Sequence, residues 1–171
     1  MSLLLVAMTA AHAAPSADAC QRWADQLKAG AQTAMAGLDQ IEDHRIRDLS
    51  GTISPGPLLA RVRGGACEIQ SVGSVGLNAT LALAKPGGRG LSCPVKVQNA
   101  MVPLKITIAG TDAAPKVTSS TLPVEALAPF MTTCVRASWV DAAVVKLASS
   151  WIDDQKTAWH AELEKWLAQG H

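Results

Sequence analysis

Four cysteines, Cys20, Cys67, Cys93 and Cys134, are the residues of this chain whose chemistry is best defined. Thiols can hold a metal, cycle between redox states or pair permanently. Structural zinc sites use closely spaced Cys and His ligands, and here no two cysteines are close and no histidine is near them. A redox pair uses Cys-x-x-Cys, which is absent. Structural disulfides are the reading that remains, and four cysteines allow three connectivities. Cys67 and Cys93 both fall in segments with strand character. If the strands are short, two hairpins separate them by ~9–10 Å at ~4.8 Å per strand, beyond the ~7 Å reach of a bridge. If they are long, a turn near Gly87-Gly88 sets Cys93 opposite Ala82 and leaves Cys67 at the far end. Both geometries favour Cys20–Cys67 with Cys93–Cys134, each tying a helix start to the sheet. The alternative is Cys20–Cys134 with Cys67–Cys93. Each bridge contributes about 2–4 kcal/mol.

Disulfides imply an oxidising compartment, and the N-terminus points the same way. Ser2 to Ala11 is apolar and uncharged, Ala11-His12-Ala13 has the small-x-small form of a cleavage site, and Ala14-Pro15 opens a polar stretch. This reads as a signal peptide over 1–13, followed by a single α+β domain over 14–171, periplasmic or secreted. The leader lacks a basic n-region and is short against the usual ~15–30 residues, as expected if the true start lies upstream. A buried N-terminal helix is the competing reading. A membrane span needs ~20 apolar residues, more than this segment offers. Ala17-Asp18-Ala19 before Cys20 does not suit a lipidation site.

Other reactive side chains form no constellation. His160 and Glu164 share a helix face four residues apart, but an exposed pair is commoner than a metal site and no third ligand is evident. His44 sits in the charged run Glu42-Asp43-His44-Arg45. No serine lies in a Gly-x-Ser-x-Gly elbow. The loop Gly87-Gly88-Arg89-Gly90 lacks the Lys-Ser/Thr ending of a phosphate loop and reads as a turn. Arg61 and Arg63 alternate on one face. No catalytic residue, metal or cofactor is assigned.

The formal net charge is +1, and the basic residues are scattered along the chain. That argues against a nucleic-acid partner, whose binders gather basic residues, and against electrostatic membrane attachment. There is no Tyr, one Phe and five Trp. Trp151, Trp159 and Trp166, with Leu163, crowd one C-terminal segment. They either fill the core, line a groove for an apolar ligand or anchor a protein partner.

The elements that must position these residues follow from periodicity. Residues 16–37 predict a helix, with Ser16 as cap, Asp18 in the first turn, and Trp23, Leu27, Ala31, Ala34 and Leu38 on one stripe. It ends at Gly37 or frays through Ile41. Ile46, Leu49 and Ile53 have no clear period, and Pro55-Gly56-Pro57 marks a turn. Residues 66–84 alternate strictly: Cys67, Ile69, Val75, Leu77, Leu81 and Leu83 against Glu68, Gln70, Ser74, Asn78 and Thr80. One curved strand is favoured over a hairpin at Gly73 and Gly76. Ser71, Ser74, Asn78 and Thr80 are assigned to the wet face. Residues 91–109 alternate with a change of phase after Asn99, as a bulge produces, and Pro103 implies an edge or bulge. A weaker strand covers 115–124, and a long amphipathic helix 136–168. The expected fold is α+β: an N-terminal helix, an antiparallel meander of three to four strands, and a C-terminal helix packed on the sheet.

The function expected is a non-catalytic envelope module that binds a protein, of the inhibitor, immunity or assembly-factor type. Carriage of an apolar ligand such as a lipid between sheet and C-terminal helix is the alternative, and an enzyme without a recognisable motif the third. The mature protein, purified from an exporting host without reductant, is expected to begin at Ala14 and to weigh four hydrogens less than its reduced form. Intact-mass analysis checks both.

Overall fold

A computed structural model describes residues 14–36, 43–83 and 89–170. The leader expected over 1–13, the expected helix end between Gly37 and Ile41, and the glycines Gly87 and Gly88 of the expected turn lie outside them. In chain order the elements are α1 (Ala17–Ala36), β1 (Ile46–Ser54), β2 (Leu59–Arg63), β3 (Ala66–Leu83), β4 (Leu91–Thr111), β5 (Ala114–Thr121), a 3-10 helix η1 (Val124–Phe130), β6 (Met131–Thr132) and α2 (Ser138–Ala168). Among the described residues the fold is α+β, an open antiparallel sheet of six strands with one α-helix before it and one after. Among the described residues no helix is long and apolar enough to cross a membrane.

The expected count of three to four strands is corrected to six, because each edge of the meander is broken in two. β1 pairs with β3 over positions 74–81, and β2 continues along the same edge over 66–70. On the far side, β5 pairs with β4 over 105–111, and β6 resumes at Lys96 and Val97. The first break holds Pro55 and Pro57, which cannot donate to a ladder. Between them, a Cβ on Gly56 would collide with the Val72 carbonyl oxygen. Ser71 donates its hydroxyl to the Gly56 carbonyl at 3.4 Å. The alternation of β3 points Ser71 inward with Ile69 and Val75, where it is buried and this contact satisfies its hydroxyl, which corrects its assignment to the wet face. The second break leaves positions 98–104 of β4 without a strand on that side, and Pro103 falls there, locally at an edge as its chemistry requires.

β3 and β4 are each one long strand. Their register runs from Cys67↔Ile108 to Leu83↔Leu91 and sets Cys93 opposite Leu81, one residue from its expected partner. The bulge after Asn99 is present: Val75 faces Ala100 but Leu77 faces Val97, so Gln98 and Asn99 oppose Gly76 alone. Asn99 takes φ 49°, left-handed backbone in which Asn is enriched among non-glycine residues.

One sheet face is buried. Cys67, Ile69, Val75, Leu81 and Leu83 of β3 lie beside Cys93, Val95, Val97, Ala100, Val102 and Ile108 of β4. Each aliphatic side chain so buried stabilises by ~1.5–3 kcal/mol. α1 covers the Cys67 end through Ala19, Cys20, Trp23 and Ala24. The first half of α2 covers the other end through Val140, Val144 and Trp151, and its Leu167 joins the α1 cluster. Thirty-one residues make α2 ~46 Å long, enough to connect the two ends. Leu127 of η1 fills the middle, against Val75, Val97, Ala100 and Val102.

Polar contacts fix where the helices sit. Ser16 caps α1 by accepting the Ala19 N–H at 3.0 Å, and donates its own hydroxyl to Asp112 in the β4–β5 turn, also at 3.0 Å. That hydrogen bond, seconded by Arg22, holds the Asp112 carboxyl below its ordinary range. Ahead of β1, Arg45 donates to both oxygens of Asp43 at 3.1 and 3.0 Å and reaches Asp154 of α2 at 3.0 Å. The Arg45 hydrogen bonds lower Asp43 from 3.8 to about 2.

Two outcomes follow. Gly56→Ala is expected to cost about 1–3 kcal/mol by urea denaturation, since the clash is with backbone. Asp43 ionises more readily in the folded chain than in the unfolded one, so its contribution is complete above pH ~4 and lost as pH falls to about 2. Asp43→Asn is therefore expected to be less stable than wild type at pH 7, with the gap closing between pH ~4 and ~2, as paired urea titrations at several pH values would read.

Candidate functional site

The cysteines leave no thiol for chemistry. Cys20 bonds Cys67 and Cys93 bonds Cys134, with Cα separations of 5.4 and 5.2 Å, and no cysteine is free. This is the pairing favoured from the strand geometry. Cys20 sits in the first turn of α1, and Cys134 lies just ahead of α2, so each bridge fixes a helix to one end of the β3–β4 ribbon.

Of the two histidines among the described residues, His160 takes a structural partner. His160 Nε2 is 2.8 Å from the Ser120 hydroxyl, and Glu164, one turn on, accepts the Val117 N–H at 2.8 Å. Both reach β5, where a carboxylate satisfies an edge-strand donor that would otherwise face solvent. Ser120 and His160 resemble a nucleophile and its base. A working pair also needs an orienting acid on the other ring nitrogen, and the acid at hand binds backbone. His44 is exposed, 3.6 Å from Asp43, and Arg89 is exposed.

The aromatic cluster divides. Trp151 is buried among Val140, Val144 and Leu81. Trp159 meets it edge-on, with centroids 5.5 Å apart and planes at 76°, and stays partly exposed on α2. Leu163 and Trp166 pack against the α1 cluster. Trp166 lies over Gly30, where a Cβ would fall 2.8 Å from its ring. These side chains therefore join the two helices to each other and to the sheet, and Trp159 alone of the four reaches the surface substantially.

Among the described residues no helix packs on the other sheet face. Its register positions hold Ser, Thr, Asn and Gln with a central apolar island. Val72 (50 % exposed) faces Pro103, Met101 (55 %) faces Ser74 on the next diagonal, and Leu59 (69 %) sits one strand over, opposite Gln70. Beside the island the bulge opens a cleft of about 410 Å³, lined in part by Ser50, Thr52, Asn78, Lys96, Gln98 and Asn99. Gly76 lines it as well, and a Cβ there would lie 2.8 Å from the Thr52 hydroxyl.

Six of the fifteen basic residues, scattered in sequence, also collect on this face. Arg47, Arg61, Arg63, Lys96, Lys105 and Lys116 all occupy outward register positions, with Glu68 the one acid among them. Glu68 lies between Arg61 at 3.5 Å and Lys105 at 3.7 Å. The exposed apolar positions had a sequence signal: Val72 is a large aliphatic residue in the polar phase of β3. The charge had none, because it depends on which strands are neighbours. Comparison with protein-family models, with curated proteins and with solved structures finds no match to this chain.

Proposed function

We propose that this protein is an exported, non-catalytic binding module of the cell envelope, of the inhibitor, immunity or assembly-factor type. It engages a protein partner through the helix-free face of its sheet. The observation that carries the reading is the exposed island of Leu59, Val72, Met101 and Pro103 at the centre of a face on which no described helix packs. Exposed apolar side chains standing singly need no explanation, but a contiguous group rimmed by polar residues marks interaction surfaces. Two disulfides support a periplasmic or secreted location. They also hold the face rigid, which lowers the ordering cost of association. The inner face supports a partner module over a lipid carrier, since Leu127, Trp151 and Leu167 pack into it.

A photo-crosslinking residue at Val72, in protein exported by its host, is expected to give a discrete protein adduct. The same residue at exposed Ala161 on α2 is expected to give none. Adding Met101→Glu should remove most of the Val72 adduct while circular dichroism stays unchanged. Equal labelling from both positions, or adducts to lipid alone, would overturn the reading.

A further inference from the structure

Charge is divided between the two layers. The outer sheet face carries six basic residues in register against Glu68 alone, a net of five positive charges. The whole chain carries +1, so the remainder has a net of four negative charges. α2 contributes five acids and three bases to that remainder. Asp48, the residue of left-handed backbone in the β1 bulge, holds no register position on the face. Among the described residues Arg47, Arg63, Lys96 and Lys116 have no ion-pair partner, whereas Arg61 and Lys105 share Glu68.

Resting on the reading that this face binds a protein, we infer that the partner presents an acidic surface, whose carboxylates meet the basic residues around the apolar island. The layout is that of a protein interface, with an apolar centre inside a polar rim. Arg47 and Lys96 lie toward one end of the ribbon, Arg63 and Lys116 toward the other, and Val72, Met101 and Pro103 between them. The β3–β4 pairing extends from Cys67 to Leu83. At ~3.3 Å per residue and ~4.8 Å per strand, four strands give a face on the order of 1,000 Å², above the ~800 Å² per partner of a standard interface.

Other occupants fit less well. A bilayer is flat over this length, whereas neighbouring strands rotate by ~20–25°, so a membrane would meet only part of the face. The apolar group is at the centre of the face and not at a protruding tip. A second copy placed face to face would oppose like charges, which costs affinity.

The test uses poly-L-glutamate as an acidic polypeptide probe, measured by titration calorimetry on the mature, disulfide-bonded chain. Two variants change net charge equally: Arg47→Glu with Lys96→Glu on the face, and Lys28→Glu with Lys146→Glu on the helices. Binding is expected to weaken at least about tenfold between ~0.05 M and ~0.5 M salt. It is also expected to weaken about tenfold in the face variant and to hold in the helix variant. Equal loss in both variants, no binding, or a preference for phosphatidylglycerol vesicles or duplex DNA over the polypeptide would overturn the inference. The Val72 crosslink separates the two levels. An adduct that survives Arg47→Glu with Lys96→Glu removes the acidic partner and leaves the binding module standing. Loss of every adduct in wild-type protein removes both.

Discussion

The pairing of β3 with β4 carries the rest of the molecule. It begins with Cys67 opposite Ile108 and ends with Leu83 opposite Leu91, and it changes register once, where Gln98 and Asn99 face Gly76. That change keeps the buried face continuous. Had the strand run on through Gln98 and Asn99 in plain alternation, with no bulge, the even-numbered positions from Ala100 to Ile108 would turn outward and put Met101, Pro103 and Lys105 into the core. Both helices, both disulfides and η1 use the face that results.

The helices are held by unlike forces at their two ends. Apolar burial supplies most of the energy, but it is not directional. The disulfides and a few carboxylates set position: Asp112 receives the start of α1, and Asp154 meets Arg45 ahead of β1. Glu164 and His160 then lay the last turns of α2 along β5. The tryptophans fill what remains, with Trp166 seated over Gly30 because that helix position has no side chain.

How much was legible in the sequence depended on whether a pattern was local. β3 and β4 announced themselves by strict alternation, the bulge by its change of phase, and α2 by its stripe. β1 was hidden because its own bulge, with Asp48 at φ 54°, spaces Ile46 and Leu49 three apart, and because Gly51 stands where an apolar residue would keep the rhythm. β2 was hidden because Leu59 points outward and Ala60 inward, the reverse of their apparent hydrophobicity. Ser71 followed the buried phase despite its hydroxyl, since Gly56 supplies an acceptor. The cationic face needed strand order as well as alternation: Arg47, Lys96 and Lys116 come onto one face only once β1 and β4 are set on either side of β3 and β5 is set beyond β4.

The two broken edges have a consequence for life at high concentration. A long unbroken edge strand is a template on which other chains can polymerise. Here neither edge offers a run longer than the nine residues of β1. Pro55 and Pro57 interrupt one side, η1 interrupts the other, and Glu164 already occupies a donor of β5. A ribbon long enough to display a broad face is thereby kept from growing sideways into fibres, so its uncovered surface can stay open in a crowded compartment without making the protein a seed for its own aggregation.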